Sequence, residues 1–311
     1  MRKLIAGIIL GTALLCGTKA HAQYNREYFF WVGRSCMMNN DYQEAIRTLN
    51  TLLRFDENAF EGYFLRGIAK YNLDDLLGAE ADFSTAIRLN PVYTQAYTYR
   101  AITRSRLGNY DDALQDFREA IDLRPDLPGP YYSRGVTRLL NQQFKEAIDD
   151  FDKFIRQENK VADAFICRGL SYLHLKDTTR AYENFNTAIR TNRENPNGYN
   201  RRGGLHLQQE QYKEAEADFN KAIECDSAYL LSYFNRALVY NATNRPMQAL
   251  ADFDKVIQLD STNSLTYFNR AMLRTQIGDY NRALDDYDKV ALYSPNNVLV
   301  YYNRAGVYAQ L

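Results

Sequence analysis

One period governs this chain. Counted from Arg26 in steps of 34 residues, the eighth place is always Gly or Ala: Gly33, Gly67, Ala101, Gly135, Gly169, Gly203, Ala237, Ala271 and Ala305. The twentieth place is always Ala, from Ala45 and Ala79 through to Ala283. The fourth is always aromatic, from Phe29 and Tyr63 to Tyr301, and the twenty-fourth is Leu49, then Phe83 and its successors, ending at Tyr287. No insertion breaks the step between Arg26 and Val298. A unit this short cannot bury its own apolar face. It becomes stable by stacking on the next copy, so the period dictates a quasi-one-dimensional array rather than a globule.

Each repeat reads as two helices. Apolar and aromatic residues at places 4, 8 and 11, then at 17, 20, 24 and 27, follow helical spacing. Gly108 and Gly278 mark the turn inside a repeat, and Pro91, Pro125 and Pro295 the turn between repeats. Pro128, Pro130, Pro196 and Pro246 fall in first turns, where a missing N–H costs little. Small residues at places 8 and 20 let the two helices approach, and the aromatics at 4 and 24 fill the space beside the crossing. The expected fold is all-α: an α-solenoid of antiparallel helix pairs. Eight full repeats span 26–59, 60–93, 94–127, 128–161, 162–195, 196–229, 230–263 and 264–297, with a partial ninth at 298–311.

Composition removes the competing classes. At 46% hydrophobic residues, with 25 Tyr and 16 Phe, the chain is too apolar to be disordered, and 4 Cys are too few for a disulfide scaffold. The 38 basic residues balance the 38 acidic ones, which leaves no electrostatic footprint for nucleic acid. Residues 1–22 read as a secretory signal peptide. Arg2 and Lys3 begin it, Leu4 to Leu15 is its apolar run, and Ala20-His21-Ala22 is its cleavage site. That run is too short to span a bilayer. The expected location is the periplasm or outer envelope of a Gram-negative bacterium, with secretion the second choice and no transmembrane span after cleavage. A lipid anchor on Cys16 is disfavoured by the large Leu14 and Leu15 before it.

The runs Tyr110-Asp111-Asp112-Ala113 with Phe117, Ala120 and Pro125, and Tyr212-Lys213-Glu214-Ala215 with Phe219 and Ala222, carry a resemblance to the tetratricopeptide repeat family. It covers Arg26 to Leu311 and implies that the α-solenoid is right-handed. Two columns depart from the family pattern. Its Trp at place 4 is Tyr or Phe here. Its Leu at place 7 is Arg in every repeat but the first: Arg66, Arg100, Arg134, Arg168, Arg202, Arg236, Arg270 and Arg304. A guanidinium at a packing position needs a counter-charge. Place 23 offers one in Asp82, Asp116, Asp150, Asp218, Asp252 and Asp286, with Asn184 in the fifth repeat. The first repeat has Val32 and Thr48, so both charges vanish together. An Arg–Asp ladder within each repeat, with reach to the next, is expected in preference to a basic stripe for an anionic polymer.

The resemblance implies that first helices line the concave side, with places 2, 5, 9, 12 and 13 facing the groove. Place 5 carries Phe30, Phe64, Tyr132, Ile166, Phe234, Phe268 and Tyr302, and place 9 carries Ile68, Ile102, Val136, Leu170, Leu238 and Met272. Places 5 and 9 are one turn apart and form a joint stripe. Such a stripe suits an extended peptide or an apolar helix of a partner protein. It equally suits packing on the neighbouring helix as extra core. Lys is absent from these places, which argues against a clamp for a C-terminal carboxylate.

Other constellations carry less. The runs Asp149-Asp150-Phe151-Asp152 and Asp285-Asp286-Tyr287-Asp288 lie in second helices without a Gly-bearing loop and read as solvated faces. His174 and His206 form no metal set, and Cys36, Cys167 and Cys225 read as small buried side chains rather than a Cys167–Cys225 bridge. No phosphate loop, nucleophile elbow or acid–base pair is present, and no cofactor or metal is implied. The chain stops at Leu311, at the end of a first helix, leaving Tyr301, Ala305 and Tyr308 uncovered. A fragment or shortened reading frame is expected, the alternative being that the last helix caps itself. The expected function is a non-enzymatic exported scaffold for partner peptides or proteins. The alternatives are an accessory module of a longer envelope enzyme or signalling protein, and a cell-wall glycan binder.

Overall fold

The computed structural model describes residues 26–311. The expected signal peptide, residues 1–22, lies outside them. Two compact bodies meet in sequence at Gln157 and Glu158. The first holds α1 (26–38), α2 (Tyr42–Phe55), α3 (Phe60–Asn72), α4 (Leu76–Leu89), α5 (Thr94–Arg106), α6 (Tyr110–Leu123), α7 (Pro128–Leu140) and α8 (Phe144–Gln157). The second holds α9 (Ala162–His174), α10 (Thr178–Thr191), α11 (Pro196–Gln208), α12 (Tyr212–Cys225), α13 (Leu230–Ala242), α14 (Pro246–Leu259), α15 (Ser264–Gln276), α16 (Tyr280–Tyr293) and α17 (Val298–Tyr308). First helices thus occupy places 1–13 and second helices places 17–30. No strand occurs among the described residues.

The turn inside each repeat is built the same way throughout. Its fifteenth place lies in the left-handed region, at φ 83° for Gly108 and 82° for Gly278. Asn40, Asp74, Gln142, Lys176, Glu210 and Asn244 take the same conformation at φ 56° to 65°. That residue lets the place-16 N–H donate back to the place-11 carbonyl, at 2.8–2.9 Å from Asp41 to Asp279. The first helix is closed by this bond. Where place 16 is Asp41, Asp75 or Asp177, its carboxylate then caps the second helix by accepting an N–H two places inside it.

Within each body, second helices pack on both the first helix of their own repeat and that of the next. First helices of successive repeats also touch, α3 on α5 and α5 on α7 in the first body, α9 on α11 and α11 on α13 in the second. First helices therefore form the inner layer of each body and second helices the outer one. The core lies between the layers. The place-20 alanines are fully buried, as are the place-24 side chains from Leu49 to Tyr287. Where place 8 is Gly the approach is closest: a Cβ on Gly67 would lie 2.7 Å from Phe83 Cε1, and one on Gly203 2.8 Å from Phe219 Cε1, so the ring must shift where Ala stands instead.

Two sequence expectations need correction. Place 11 is not an apolar column. It holds Lys70, Arg104, Arg138, His206 and Arg274, with Tyr172 and Tyr240 between, and their stems run along the interface while their polar ends reach inward. The acidic runs are not uniformly solvated either. Asp149 and Asp285 are exposed, but Asp150 and Asp286 are buried, at 1% and 2% exposure. Cys225 is a free thiol whose Sγ donates to the Arg193 carbonyl at 3.4 Å, so it makes no bridge. Tyr301 and Tyr308 are exposed, as is Ala305.

Candidate functional site

The charged columns meet at each helix crossing. Arg66 donates Nε and Nη2 to the two oxygens of Asp82, at 2.8 and 2.6 Å. The same fork recurs for Arg100 on Asp116 (2.9 and 2.7 Å), Arg134 on Asp150 (2.9 and 2.7 Å) and Arg202 on Asp218 (2.9 and 2.5 Å). Arg236 on Asp252 (2.8 and 2.7 Å) and Arg270 on Asp286 (2.9 and 2.6 Å) complete the set. In the fifth repeat Arg168 Nε donates to Asn184 Oδ1 at 2.8 Å. The fork is the strongest arrangement open to these groups, because two parallel charge-assisted bonds fix both side chains. Hydrogen bonding to Asp218 raises Arg202 above the usual arginine value.

Up to three further contacts, not foreseen from the sequence, are added at individual crossings. The place-11 cation binds the same carboxylate: Lys70 on Asp82 at 2.8 Å, Arg104 on Asp116 at 2.9 Å, Arg138 on Asp150 at 2.6 Å, Arg274 on Asp286 at 2.8 Å. The third arm of the ladder arginine, Nη1, reaches back to place 25 of the preceding repeat. Arg66 meets Asn50 (2.6 Å), Arg100 meets Ser84 (3.1 Å), Arg202 meets Asn186 (2.5 Å), Arg236 meets Asn220 (2.6 Å), and Arg270 meets Asp254. Arg304 meets Asp288 at 2.9 Å in the same way. From Arg66 to Arg270 the guanidinium finally lies over the place-4 ring one turn before it, 5.3 Å from the centroid for Arg66 on Tyr63 and 5.4 Å for Arg270 on Tyr267. Tyr at that place does a second job. The hydroxyls of Tyr131, Tyr233, Tyr267 and Tyr301 donate to the carbonyl six residues earlier, at 3.1–3.3 Å, tying the helix to the turn before it.

The proposed stripe divides. Phe64 and Ile166 are buried, at 8% and 3% exposure, and are core side chains rather than open wall. Phe64 stands 5.8 Å from Phe83, Phe234 5.9 Å from Phe253 and Phe268 6.1 Å from Tyr287, so place 5 seats on place 24 of its own repeat. Phe30, Tyr132, Phe234 and Phe268 keep an exposed edge, as do Ile68, Ile102, Val136, Leu170 and Leu238 at place 9. Met272 and Tyr302 are open, at 48% and 77%.

In the first body this edge becomes a recess. Tyr71 from α3, Ile102, Ser105 and Arg106 from α5, and Tyr132, Ser133, Val136, Thr137 and Leu140 from α7 enclose about 240 Å³ with a mainly apolar lining. Its floor is fixed by Thr137, whose hydroxyl bonds to Ser105 Oγ at 3.1 Å and to the Ser133 carbonyl at 3.0 Å. One rim is Arg106, stacked 4.8 Å over Tyr71 and paired with Asp74 at 2.7 Å. Places 6, 9, 10, 12 and 13 thus line the wall along with place 5. Among the described residues, no cluster of three His, Cys, Asp or Glu could hold a metal, and no helix is long and apolar enough to cross a membrane.

Stacked helix pairs with an inner layer of first helices define a helical-repeat solenoid. Sequence comparison makes the assignment specific: the TPR repeat pattern matches residues 104–142, and tetratricopeptide repeat patterns match 168–229, 201–264 and 265–297. The chain belongs to the tetratricopeptide repeat family. Its fold is similar to that of a tetratricopeptide repeat protein from Parabacteroides merdae, with a TM-score of 0.63 at 20% identity over 80% of this chain and 98% of that one. The C-terminal part of a TPR repeat-containing protein from Cytophaga hutchinsonii gives 0.56 at 22% identity, over 76% and 97%. Yeast Tom70 gives 0.67 at 18% identity, over 86% of this chain and 59% of that one. No curated protein sequence matches the chain.

Proposed function

We propose that this protein is a non-enzymatic scaffold that holds an extended segment of a partner protein along the inner wall of its first helices. The observation that carries the reading is the recess over α3, α5 and α7, walled by Tyr71, Ile102, Tyr132, Val136 and Leu140. It is apolar, open on one side, and set on rigid helices whose crossings are pinned by forked ion pairs. A preformed apolar pocket with a few hydroxyls on its floor suits an apolar side chain of an extended peptide, with main-chain groups left for the polar rim. Export rests on residues 1–22, with the periplasm or outer envelope as destination and secretion the second choice. The ladder serves the scaffold by fixing each hairpin and linking it to the one before.

A photo-crosslinking residue at Leu140, 56% exposed on the recess rim, tests this against one at Leu77, 72% exposed on second helix α4. The scaffold reading expects protein adducts from envelope extract at the first position and not at the second. Equal capture at both, or retention of glycan alone, overturns it.

A further inference from the structure

The inner wall of the second body is interrupted at the sixth repeat, and the interruption has its own chemistry. Place 5, an aromatic or apolar side chain in most repeats, is Asn200, which is 3% exposed. Its Oδ1 accepts from Ser232 Oγ at 3.2 Å and from Asn235 Nδ2 at 3.1 Å, both on α13. Place 9, an apolar side chain in six repeats, is Gly204, and a Cβ there would meet nothing within 4 Å. The wall therefore has an open notch where its neighbours carry Leu170 and Leu238.

Arg201 stands at place 6, three residues before that notch and on the stripe that Ser133, Val136 and Leu140 occupy in the recess of the first body. Half-buried arginines elsewhere in the chain are held by a carboxylate or an amide oxygen, as the ladder shows. Among the described residues Arg201 has no ion pair or hydrogen bond, and its Nε is buried without a partner. Asp163, at place 2 of α9, accepts from Asn195 Nδ2 at 3.1 Å. Arg138 and Arg274 also bury an unpaired Nε, but their Nη1 arms meet Asp150 and Asp286, so Arg201 differs in lacking a counter-charge altogether. A buried N–H left unpaired is costly, and such a group persists where something else completes it.

We infer that Arg201 is an anion-recognition point in the groove, which pairs with a side-chain carboxylate of the bound partner segment seated in the notch over Gly204. The inference rests on the scaffold reading and adds to it the charge of the ligand. Planar two-point pairing is what a guanidinium offers and a lysine does not. The neighbouring Asn200, Ser232 and Asn235 already satisfy one another, so Arg201 supplies the specificity.

Selection from a random dodecapeptide library with both termini blocked, against the full chain, tests this. Wild-type protein is expected to enrich Asp or Glu about tenfold at one position set at a fixed distance from an apolar residue. Arg201→Gln is expected to lose that enrichment and keep the apolar one, and Arg201→Glu to turn the preference to Lys or Arg. Unchanged melting of both variants shows that the fold is intact. Binders without an acidic position, or an acidic preference that survives Arg201→Gln, overturn the inference while leaving the scaffold reading standing. Enrichment only when the library carries free C-termini assigns the site to a main-chain carboxylate and overturns it too. Absence of any binder removes the scaffold reading, and this inference with it.

Discussion

Asp150 is the most exposed point of the ladder to perturbation, because it is the most enclosed. Its carboxylate is 1% exposed, takes a forked pair from Arg134 and a third bond from Arg138 at 2.6 Å, and faces no other acid in either helix at that depth. Asp150→Ala leaves two guanidinium groups facing each other in a partly dry interface. Removing one partner of a buried pair costs about 3–5 kcal/mol. For a protein of this size that lowers the melting temperature by about 6–20 °C. The chain itself supplies the control. In the fifth repeat the acid is Asn184, and the place-11 cation has become Tyr172. A neutral amide therefore suffices when only one guanidinium remains. Asp150→Asn alone should lose most of that stability, whereas Asp150→Asn with Arg138→Tyr should recover a large part of it. Thermal melts followed by circular dichroism, with urea midpoints, give the comparison. A single Asp150→Asn variant as stable as wild type, or a double variant no better than the single, refutes the reasoning.

Other crossings give sharper single tests. Lys176 sits at φ 65° without the freedom of glycine, so Lys176→Gly should stabilise by about 0.5–1 kcal/mol in urea unfolding, the relief of left-handed strain exceeding the added chain entropy. Gly203→Val should cost about 1–3 kcal/mol by overpacking Phe219, and Gly203→Ala clearly less, since Ala237 and Ala271 fill the same place. Glu216 is held below the usual carboxylate range by its hydrogen bonds from Arg245. A depressed folded value means stability that is present above the ordinary glutamate range and lost as pH falls through the folded one. The melting difference between wild type and Glu216→Gln should therefore be present at pH 7 and vanish in acid, and a difference that grows on acidification would contradict it.

The period, the helix pairs and the forked pairs could be read from the sequence because each is a strict column, and Val32 with Thr48 showed that places 7 and 23 vary together. Place 11 was missed because Lys70, Arg104, Tyr172 and His206 share no charge or shape. What unites them is a long or aromatic stem lying along the interface, and that appears only when the helix crossing is known. Place 25 was missed for a related reason: Asn50, Ser84 and Asp254 look like ordinary exposed polar residues until the third arm of the arginine is placed. The groove stripe was half legible. Spacing put Phe64 and Tyr132 on one face, but whether a ring lies under the next helix or at its edge depends on neighbours two repeats wide. Arg201 belongs to no column, and its significance comes from partners it lacks.

The most direct measurement of partner binding along the inner wall is a methyl spectrum of the full chain, labelled at Ile, Leu and Val, titrated with a peptide of the partner segment captured at Leu140. Binding along the first helices predicts that Ile102, Val136 and Leu140 shift together and saturably, and that Val136→Asp abolishes the shifts without changing the melting temperature. Shifts confined to second-helix residues such as Leu77 and Leu114, or saturable binding that survives Val136→Asp, would contradict it.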